Sequence, residues 1–221
     1  MAEDDKQAKR ERIARRIARE LPEGSLVNLG IGLPTLVANY LPKDKGIFLH
    51  SENGFIGLGP VPPKGSEDPR IVNAGGAPVT LVPGGCFFDS AISFSIIRGG
   101  HLDVTVLGAL EVDEEGNLAN YMIPGKMVPG MGGAMDLVIG AKKLIVAMEH
   151  VNKHGESKIL KRCTLPLTAR NEVDLIVTDM AFIRVTHNGL VLEEISEDTT
   201  VEEVVRCTAA KLTVPPKVKE F

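Results

Sequence analysis

A single glutamate, Glu52, stands at the end of a short hydrophobic run and is followed at once by a turn. The run Gly46–Leu49 leads into His50-Ser51-Glu52, and Asn53-Gly54 comes next. The hydrophobic residues predict a buried strand, and Asn-Gly predicts a sharp turn. A carboxylate at the carboxyl end of a strand in an open α/β sheet lies where such folds bind ligands. Glu52 could therefore act as a nucleophile that forms a covalent acyl intermediate, the alternative being an acid in a surface turn.

Asn28 and two glycines form a second polar feature, ahead of Glu52 in the chain. Asn28 lies inside a strand predicted over residues 25–29, and Gly30 and Gly32 follow in a turn. Glycines there let the backbone approach a ligand closely, although a tight strand-to-helix turn explains them equally well. Asn28 could line a site or cap that turn. Thr35 replaces the third glycine of a dinucleotide-binding motif, which argues against a nicotinamide cofactor.

A glycine-rich segment over residues 122–134 is the third feature with chemical potential. Its four glycines and two prolines exclude regular structure, and long loops in compact domains are usually functional or mobile. The backbone N–H groups of Gly132 and Gly133 could donate to an oxyanion, each donor being typically worth about 3 kcal/mol. For Gly133 a purely conformational role is an equal alternative. Lys126 could attract a substrate carboxylate, although a solvated loop lysine is the default.

The elements that must position these residues alternate between strand and helix patterns. We predict one α/β domain over residues 1–221, with a largely parallel sheet, flanking helices and frayed ends at 1–8 and 214–221. Ile13, Ile17 and Leu21 predict an amphipathic helix. The other predicted elements are strands at 48–50, 78–82, 102–109, 144–148 and 174–177, a turn at 83–85, helices at 35–41, 89–97 and 136–141, a hairpin of 182–185 with 190–195, and a helix from 201 to about 212 capped by Thr199 and Glu202.

Composition excludes several classes of protein. The formal net charge of −4 gives no electrostatic case for binding nucleic acid, and no apolar run approaches the roughly 20 residues of a membrane span. The three scattered cysteines indicate neither a disulfide framework nor a zinc site, so we expect a cytoplasmic protein. A mitochondrial presequence is disfavoured by acids near the N-terminus. His150 and His154 have metal-ligand spacing, but the run before them reads as a strand and no third ligand is evident.

Several segments together resemble one family, the B subunits of family I CoA-transferases of the 3-oxoacid type. The nine residues Leu49–Gly57 look like the active-site signature of that family. Further segments match in family order: 27–32, 71–75, 97–101, 120–128, 130–136 and 148–150.

The resemblance implies roles for individual residues. Glu52 would be the nucleophile, carrying a glutamyl-CoA thioester in a ping-pong mechanism, and the N–H of Gly133 would face the developing oxyanion. Asn28 would line the site and position the acyl carboxylate or carbonyl. Beside the resemblance, we predict that Gly30, Gly32, Asn53, Lys126 and Gly132 also bind the substrate and that the loop from Tyr121 to Gly133 excludes water. CoA would be a substrate and no cofactor would be needed. His50 and His101 are expected to be hydrogen-bonded structural residues.

The resemblance also implies a partner and a substrate class. The fold would be that of CoA-transferases and related sugar-phosphate isomerases. An A subunit would complete the active site, as an AB dimer or a dimer of such dimers. The segment 121–127 is similar to enzymes that move CoA from succinyl-CoA to acetoacetate, a ketone body, although Tyr121 replaces their usual Trp. Transfer to 3-oxoadipate, butyrate or acetate, acyl-CoA hydrolysis, and ligand sensing without catalysis stay open.

Overall fold

Strands and helices alternate along the chain. The computed structural model describes residues 2–126, 128 and 130–221, and within them it forms four α-helices, two 3-10 helices and fourteen strands. The α-helices are α1 (Ala2–Glu20), α2 (Ser90–Arg98), α3 (Ala134–Gly140) and α4 (Val201–Cys207), and the 3-10 helices are Leu33–Tyr40 and Lys43–Lys45. The strands are β1 (Leu26–Leu29), β2 (Phe48–Ser51), β3 (Phe55–Leu58), β4 (Leu81–Phe87), β5 (Val104–Gly108), β6 (Glu111–Asp113), β7 (Leu118–Ala119), β8 (Leu144–Ala147), β9 (Ile159–Leu160), β10 (Leu175–Val177), β11 (Ala181–Thr186), β12 (Gly189–Ile195), β13 (Leu212–Thr213) and β14 (Lys219–Glu220).

Five hydrophobic strands form the parallel centre of the main sheet, in the order β10-β8-β5-β1-β2. Antiparallel strands extend it on both sides, β3 and β4 beyond β2, and β11 and β12 beyond β10. Strands β13 and β14 pair with β12, and β6, β7 and β9 form a separate small sheet. This arrangement confirms the predicted α/β domain with a largely parallel sheet.

The central sheet is covered on both faces, as parallel sheets require. On one face the buried side chains of Ile13 and Ile17 on α1, and of Leu21 just after it, pack against β-strand residues such as Val27. On the other face α2 and α3 pack against the sheet and against each other. The two helices come so close that a Cβ built on Gly140 would lie 2.2 Å from the carbonyl oxygen of Ile97. Only glycine permits this approach.

The register of the parallel strands brings polar residues together on the face that carries α2. Asn28 pairs with His50 of β2 on one side and with Thr105 of β5 on the other. Neighbouring residues in a strand point to opposite faces, and Val27 accordingly belongs to the apolar core on the α1 side. Three polar side chains are therefore buried side by side at the carboxyl end of the sheet's centre.

Several predicted elements differ from the structure. The helix predicted over 35–41 is the 3-10 helix Leu33–Tyr40, and the strand predicted over 78–82 begins only at Leu81, the first residue of β4.

The segment 83–85, predicted as a turn, lies inside β4. Among the described strands β4 pairs with β3 alone, along a register that is irregular between Ile56 and Leu58. Pro83 can therefore lie in this edge strand, where its missing N–H is not needed for pairing. Helix α4 ends at Cys207 instead of near residue 212, since the N–H groups of Ala209 and Ala210 pair with the carbonyl of Ile159.

The cap of α4 also differs from the prediction. Thr200 is the N-cap, and its hydroxyl accepts a hydrogen bond from the N–H of Glu203. The predicted pair, Thr199 and Glu202, stands one residue earlier in each case. Thr199 instead contacts the carboxylate of Glu203 through its hydroxyl, at 3.2 Å.

Regular elements lie near both ends of the chain, in the segments 1–8 and 214–221 for which the sequence predicts fraying. Helix α1 begins at Ala2, and Met1 lies outside the described residues. Strand β14 pairs with β12, and the N–H of Phe221 donates to the carbonyl of Ile195 at 3.0 Å. These pairs satisfy backbone groups on β12, and the fraying of the ends stays a prediction.

His150 and His154 do not lie on a helix, as the alternative metal-site reading would need. His150 is fully buried, and its two ring nitrogens lie 2.9 Å from the hydroxyls of Thr178 and Thr208. Across residues 2–126, 128 and 130–221 there is no group of three His, Cys, Asp or Glu residues that could hold a metal ion. None of the described helices is long and apolar enough to cross a bilayer.

We predict that acidification destabilises the fold through His50 and His150. Burial lowers the pKa of each imidazole from 6.5 to about 4, with Lys158 lowering and Asp179 raising that of His150. Between about pH 6.5 and about pH 4 the unfolded chain binds protons that the folded chain does not, so the free energy of unfolding decreases as pH falls. Each histidine accounts for up to about 3 kcal/mol.

Urea unfolding across that pH range measures the slope. His150→Asn should flatten it, whereas His187→Asn, in an exposed loop, should leave it unchanged. A wild-type free energy of unfolding that is constant over this range would contradict the prediction.

Candidate functional site

Strand β2 carries Glu52 just past its carboxyl end, next to β1. The Glu52 side chain is half-buried, and its Oε2 accepts a hydrogen bond of 2.9 Å from Nδ2 of Asn28. Within the described parts of the chain, no Lys, Arg or His lies within ion-pair distance of this carboxylate. The Glu52 carboxyl group is therefore held by a neutral amide donor and has no cationic partner among the described residues.

The turn after Glu52 is fixed by hydrogen bonds and by steric contact. The N–H of Gly54 donates to the carbonyl of Ser51 at 3.0 Å, and Ser51 donates through its hydroxyl to Asn53 Oδ1 at 2.6 Å. Gly54 has φ 129°, and a Cβ at this position would lie 2.3 Å from the carbonyl oxygen of Phe88. These contacts restrict the backbone that carries Glu52.

A buried polar chain extends behind Asn28. Its Nδ2 lies 3.3 Å from both the carbonyl oxygen and Nδ1 of His50, while His50 Nε2 lies 3.0 Å from the hydroxyl of Ser93 on α2. Asn28, His50 and Ser93 are all at most 2% exposed. Burial lowers the pKa of His50 to about 4, so the ring is neutral at pH 7. Because Nδ1 faces the amide donor, we assign the proton to Nε2, which then donates to Ser93.

Two oxygens of this buried region have no hydrogen-bond donor among the described residues, Oδ1 of Asn28 and Oγ1 of Thr105. Both residues are completely buried and are neighbours in the β1–β5 register. Buried polar atoms without partners are uncommon in proteins. The amide of Asn28 is consequently oriented through its NH₂ group alone.

Glu52 opens into a cavity of about 750 Å³ at the carboxyl ends of β1, β2 and β5. Of the predicted site residues, Gly30, Asn53, Gly132 and Gly133 also line it. Gly133 is close to the carboxylate, since a Cβ built on it would lie 3.8 Å from Glu52 Cγ. The predicted loop contributes Tyr121 and residues 130–133 to the wall, whereas Met127 and Pro129 of that loop lie outside the described residues.

The remaining predicted residues are placed elsewhere. Gly32 lines a separate cavity of about 280 Å³ on the other side of Ile31. Lys126 is exposed and lines neither cavity. Asn28 lies beneath the cavity and reaches its surface only through Glu52.

Several cavity residues were missed in the sequence, among them Phe94 and Asn120. Phe94 of α2 lines the cavity, and its Cζ lies 3.3 Å from a Cβ built on Gly133. Helix α2 was predicted, but its pattern did not indicate which side chain turns towards the site. Asn120 also lines the cavity, with Nδ2 donating to the carbonyl of Gly108 at 3.1 Å and Oδ1 accepting from Thr168 at 2.6 Å. The sequence signal for Asn120 was its position next to Tyr121, in the segment 120–128 that resembles the family.

We predict that Gly54→Ala disrupts the site. The added Cβ conflicts with the Phe88 carbonyl and forces a residue with a side chain into a positive φ, so stability should fall by more than about 2 kcal/mol. Gly24→Ala is the matched control, because Gly24 also has a positive φ, of 70°, but has no atom within 4 Å of a built Cβ. That control should lose only about 1 kcal/mol. Equal losses in urea unfolding would show that the contact with Phe88 is unimportant.

Comparisons with known proteins agree on one family. The profile described as coenzyme A transferase matches residues 10–206. The chain is 56% identical over 205 residues to the beta subunit of the acetate CoA-transferase of Escherichia coli, covering 93% of this chain and 94% of that protein. It is 52% identical over 209 residues to the B subunit of a probable succinyl-CoA:3-ketoacid coenzyme A transferase of Bacillus subtilis, covering 95% and 97%.

A solved structure shares the fold. The apoenzyme of the acyl-CoA transferase YdiF from Escherichia coli superposes with a TM-score of 0.77 at 23% identity. The match covers 96% of this chain but 43% of that longer chain.

Proposed function

Because this chain belongs to the coenzyme A transferase family, we propose that it is the B subunit of an enzyme that transfers CoA from succinyl-CoA, or another acyl-CoA, to acetoacetate or a related short 3-oxo acid. The observation that carries the proposal is the placement of Glu52. It is a carboxylate without a countercharge among the described residues, on a rigid turn, at the rim of a cavity where parallel strands end. Such a group is a ready nucleophile for an acyl carbonyl.

The reaction has four attacks, each of which conserves atoms. Glu52 attacks the acyl-CoA carbonyl, which forms a mixed anhydride and releases CoA thiolate. The thiolate attacks Cδ of Glu52, giving the glutamyl-CoA thioester and releasing the first acid with one oxygen of Glu52. The acceptor carboxylate then attacks the thioester to form a second anhydride and free the thiolate again. Attack of that thiolate on the acceptor's acyl carbon yields the new acyl-CoA and restores the carboxylate.

Each attack creates negative charge on a carbonyl oxygen, which needs hydrogen-bond donors. The proximity of Gly133 to Glu52 supports its N–H as the donor to the substrate's oxyanion. Water must also be kept away, because hydrolysis would destroy the anhydride and the thioester. Tyr121, Phe94 and residues 130–133 enclose the cavity around Glu52 and could supply that protection.

A second subunit is part of the proposal. The relatives named above are called beta and B subunits, and the YdiF chain is more than twice as long as the part matched here. Ile31 lines the cavity and is 68% exposed. A large apolar side chain exposed beside a catalytic cavity is well suited to contact with a partner, so we propose that an A subunit closes the site there.

Acetate is a second candidate acceptor. The identity to the beta subunit of an acetate CoA-transferase is 56%, against 52% for the 3-ketoacid relative. Both acceptors need the same nucleophile, but acetoacetate is larger and carries a ketone oxygen that acetate lacks. The names of the relatives thus disagree on the acceptor, acetate or a 3-ketoacid, while they agree on CoA transfer.

We predict that Glu52→Gln lowers CoA transfer by at least about 10³-fold in the complex with the A subunit, because the amide cannot attack. Glu52→Asp should fail nearly as badly, since the shorter side chain displaces the attacking oxygen by about 1 Å. Mass spectrometry of wild-type enzyme quenched during turnover should find CoA on the peptide containing residue 52. Glu67→Gln, on the exposed surface, is the control and should keep full activity.

The result also separates the other functions. CoA release without an acceptor would indicate a hydrolase, and binding without any adduct would indicate a sensor. Full transfer by Glu52→Gln would refute the mechanism.

We predict that acetoacetate is a better acceptor than acetate. The cavity of about 750 Å³ is large for a two-carbon acid, so acetate should leave apolar contacts unmade. Competition between the two acids for succinyl-CoA, followed by chromatography of the acyl-CoA products, gives the ratio of kcat/KM. A higher kcat/KM for acetate than for acetoacetate would contradict this prediction and favour acetate as the acceptor.

A further inference from the structure

We propose that Tyr121 determines which acceptor acid is used, because its phenol hydroxyl donates a hydrogen bond to the ketone oxygen of a 3-oxo acid. This inference rests on the proposed CoA transfer and extends it to the side chain that recognises the acceptor. Acetoacetate and butyrate have the same number of carbons, and the ketone oxygen is what distinguishes them. A hydrogen-bond donor at the right place in the cavity is therefore sufficient to select one over the other.

The hydroxyl of Tyr121 has no hydrogen-bond partner among the described residues. Tyr121 is half-buried in the wall of the cavity into which Glu52 opens, and its hydroxyl bonds to none of the residues that the structure describes. The hydroxyl oxygen is also absent from the fully buried polar atoms without partners in those parts of the chain, so solvent reaches it. A ligand in the cavity can thus replace water as its partner.

Four other polar side chains line this cavity among the described residues, and three of them are already engaged. Glu52 is the proposed nucleophile. Asn53 donates through Nδ2 to the carbonyl of Val72 at 2.8 Å and accepts at Oδ1 from Ser51, and both ends of the Asn120 amide are bonded as well.

Ser90 is the fourth polar residue of the cavity, and its hydroxyl also has no partner among the described residues. It is the first residue of α2 and is exposed, whereas Tyr121 is half-buried. A less exposed donor discriminates more strongly, because a ligand without an acceptor leaves it unpaired where water compensates poorly. Tyr121 is for this reason the better candidate for recognising the ketone.

The backbone beside Tyr121 is held in place by Asn120. Nδ2 of Asn120 donates to the carbonyl of Gly108 at 3.1 Å, and Oδ1 accepts from the hydroxyl of Thr168 at 2.6 Å. The backbone N–H of Asn120 donates to the same Thr168 oxygen at 3.2 Å. Gly108 is the last residue of β5, so these bonds tie the start of the tyrosine to the carboxyl end of that strand. A donor positioned before binding does not have to be ordered by the ligand.

The separation of β5 from β2 suits a four-carbon acid. Strand β1 lies between them, and with strands about 4.8 Å apart the two carboxyl ends are about 10 Å apart. An acceptor whose carboxylate attacks Cδ of Glu52 extends its carbon chain away from β2, with the ketone two carbons from the carboxylate. A tyrosine side chain that starts near the end of β5 can meet this oxygen from the opposite side of the cavity.

A role in excluding water alone predicts something different. In that case the ring of Tyr121 would matter and its hydroxyl would not, so Tyr121→Phe would treat every acceptor as the wild type does. Recognition of the ketone predicts instead that removing the hydroxyl selectively weakens the use of 3-oxo acids. Tyr121→Phe therefore separates the two roles.

The test is competition between acetoacetate and butyrate for succinyl-CoA in the AB complex. Chromatography of the acyl-CoA products gives the ratio of kcat/KM for the two acids. Both acids react with the same glutamyl-CoA thioester, so effects on the donor half of the reaction cancel in the ratio. Tyr121→Phe should lower the ratio of acetoacetate to butyrate about tenfold, as expected for the loss of one hydrogen bond, through slower use of acetoacetate. An unchanged ratio would overturn the proposal.

Two control variants show whether the effect belongs to Tyr121. Tyr40→Phe changes the other of the two tyrosines, which is half-buried in the cluster on the α1 side of the sheet, and should keep the wild-type ratio. Ser90→Ala removes the second unpartnered hydroxyl of the cavity and should change the ratio less than twofold. A tenfold fall with Ser90→Ala would assign the ketone to Ser90, contrary to the proposal.

A substrate analogue tests the same hydrogen bond without any variant. In 3-methylbut-3-enoate a CH₂ group replaces the ketone oxygen, so the planar shape is kept and the acceptor atom is lost. Wild-type enzyme should use it about tenfold less well than acetoacetate, and equal use would overturn the proposal even if Tyr121→Phe failed to assemble. Thermal unfolding of each complex identifies such a failure.

The outcomes distinguish this inference from the proposed function. If the wild-type complex carries no adduct on Glu52 and transfers CoA to neither acid, the proposed function is wrong and the role of Tyr121 falls with it. If wild type forms the adduct and transfers CoA to acetoacetate, but Tyr121→Phe keeps the wild-type ratio, this inference alone is wrong.

Discussion

The hydrogen bond between Asn28 and Glu52 is the interaction on which the site depends, and the parallel register of β1 and β2 makes it possible. Asn28 is aligned with His50, two residues before Glu52. The amide therefore lies below the point where the chain leaves the sheet, within reach of the carboxylate. A slip of one residue would turn Asn28 into the apolar core on the α1 face. The same strand register therefore determines both the packing of the core and the position of the nucleophile.

The surrounding elements protect that alignment from several directions. Helix α2 supplies Ser93 to the buried chain and Phe94 to the cavity, from adjacent residues on one turn. The contact of Gly140 with Ile97 fixes α3 against α2, and α3 begins directly after Gly133. The position of the proposed oxyanion donor is thus set by helix packing, while that of the nucleophile is set by strand pairing. The two meet at the cavity.

Much of this could be predicted from the sequence, where local patterns decide the structure. Hydrophobic runs predicted the central strands, Asn-Gly predicted the turn after Glu52, and the family resemblance carried by Leu49–Gly57 is confirmed by the match over residues 10–206. What could not be predicted depends on contacts distant in the chain. Pro83 lies in a strand because that strand is an edge, and α4 stops early because Ile159 competes for its backbone.

The site shows the same limit. Glu52 was found because its neighbours in sequence form a signature, and Asn28 because an amide in an apolar strand is conspicuous. Neither pattern revealed that the side chains of Asn28 and Glu52 form a hydrogen bond. Nor did it reveal that Ser93, 65 residues after Asn28, supports Asn28 through His50. Gly32 and Lys126 have suitable residue types near the right segments, but neither lines the cavity into which Glu52 opens. Residue type identified candidates, and only tertiary structure could sort them.

The irregular edge strand β4 has a consequence for how the molecule meets other chains. Pro83 interrupts its row of donors and the pairing with β3 is out of step near Leu58, while at the opposite border β13 is only two residues long. Neither border offers a long, flat template on which a second copy could add a strand. This disfavours growth of the sheet into fibrils or stacked oligomers by strand addition. Association then depends on contacts between side-chain surfaces, whose shape can select the correct partner protein.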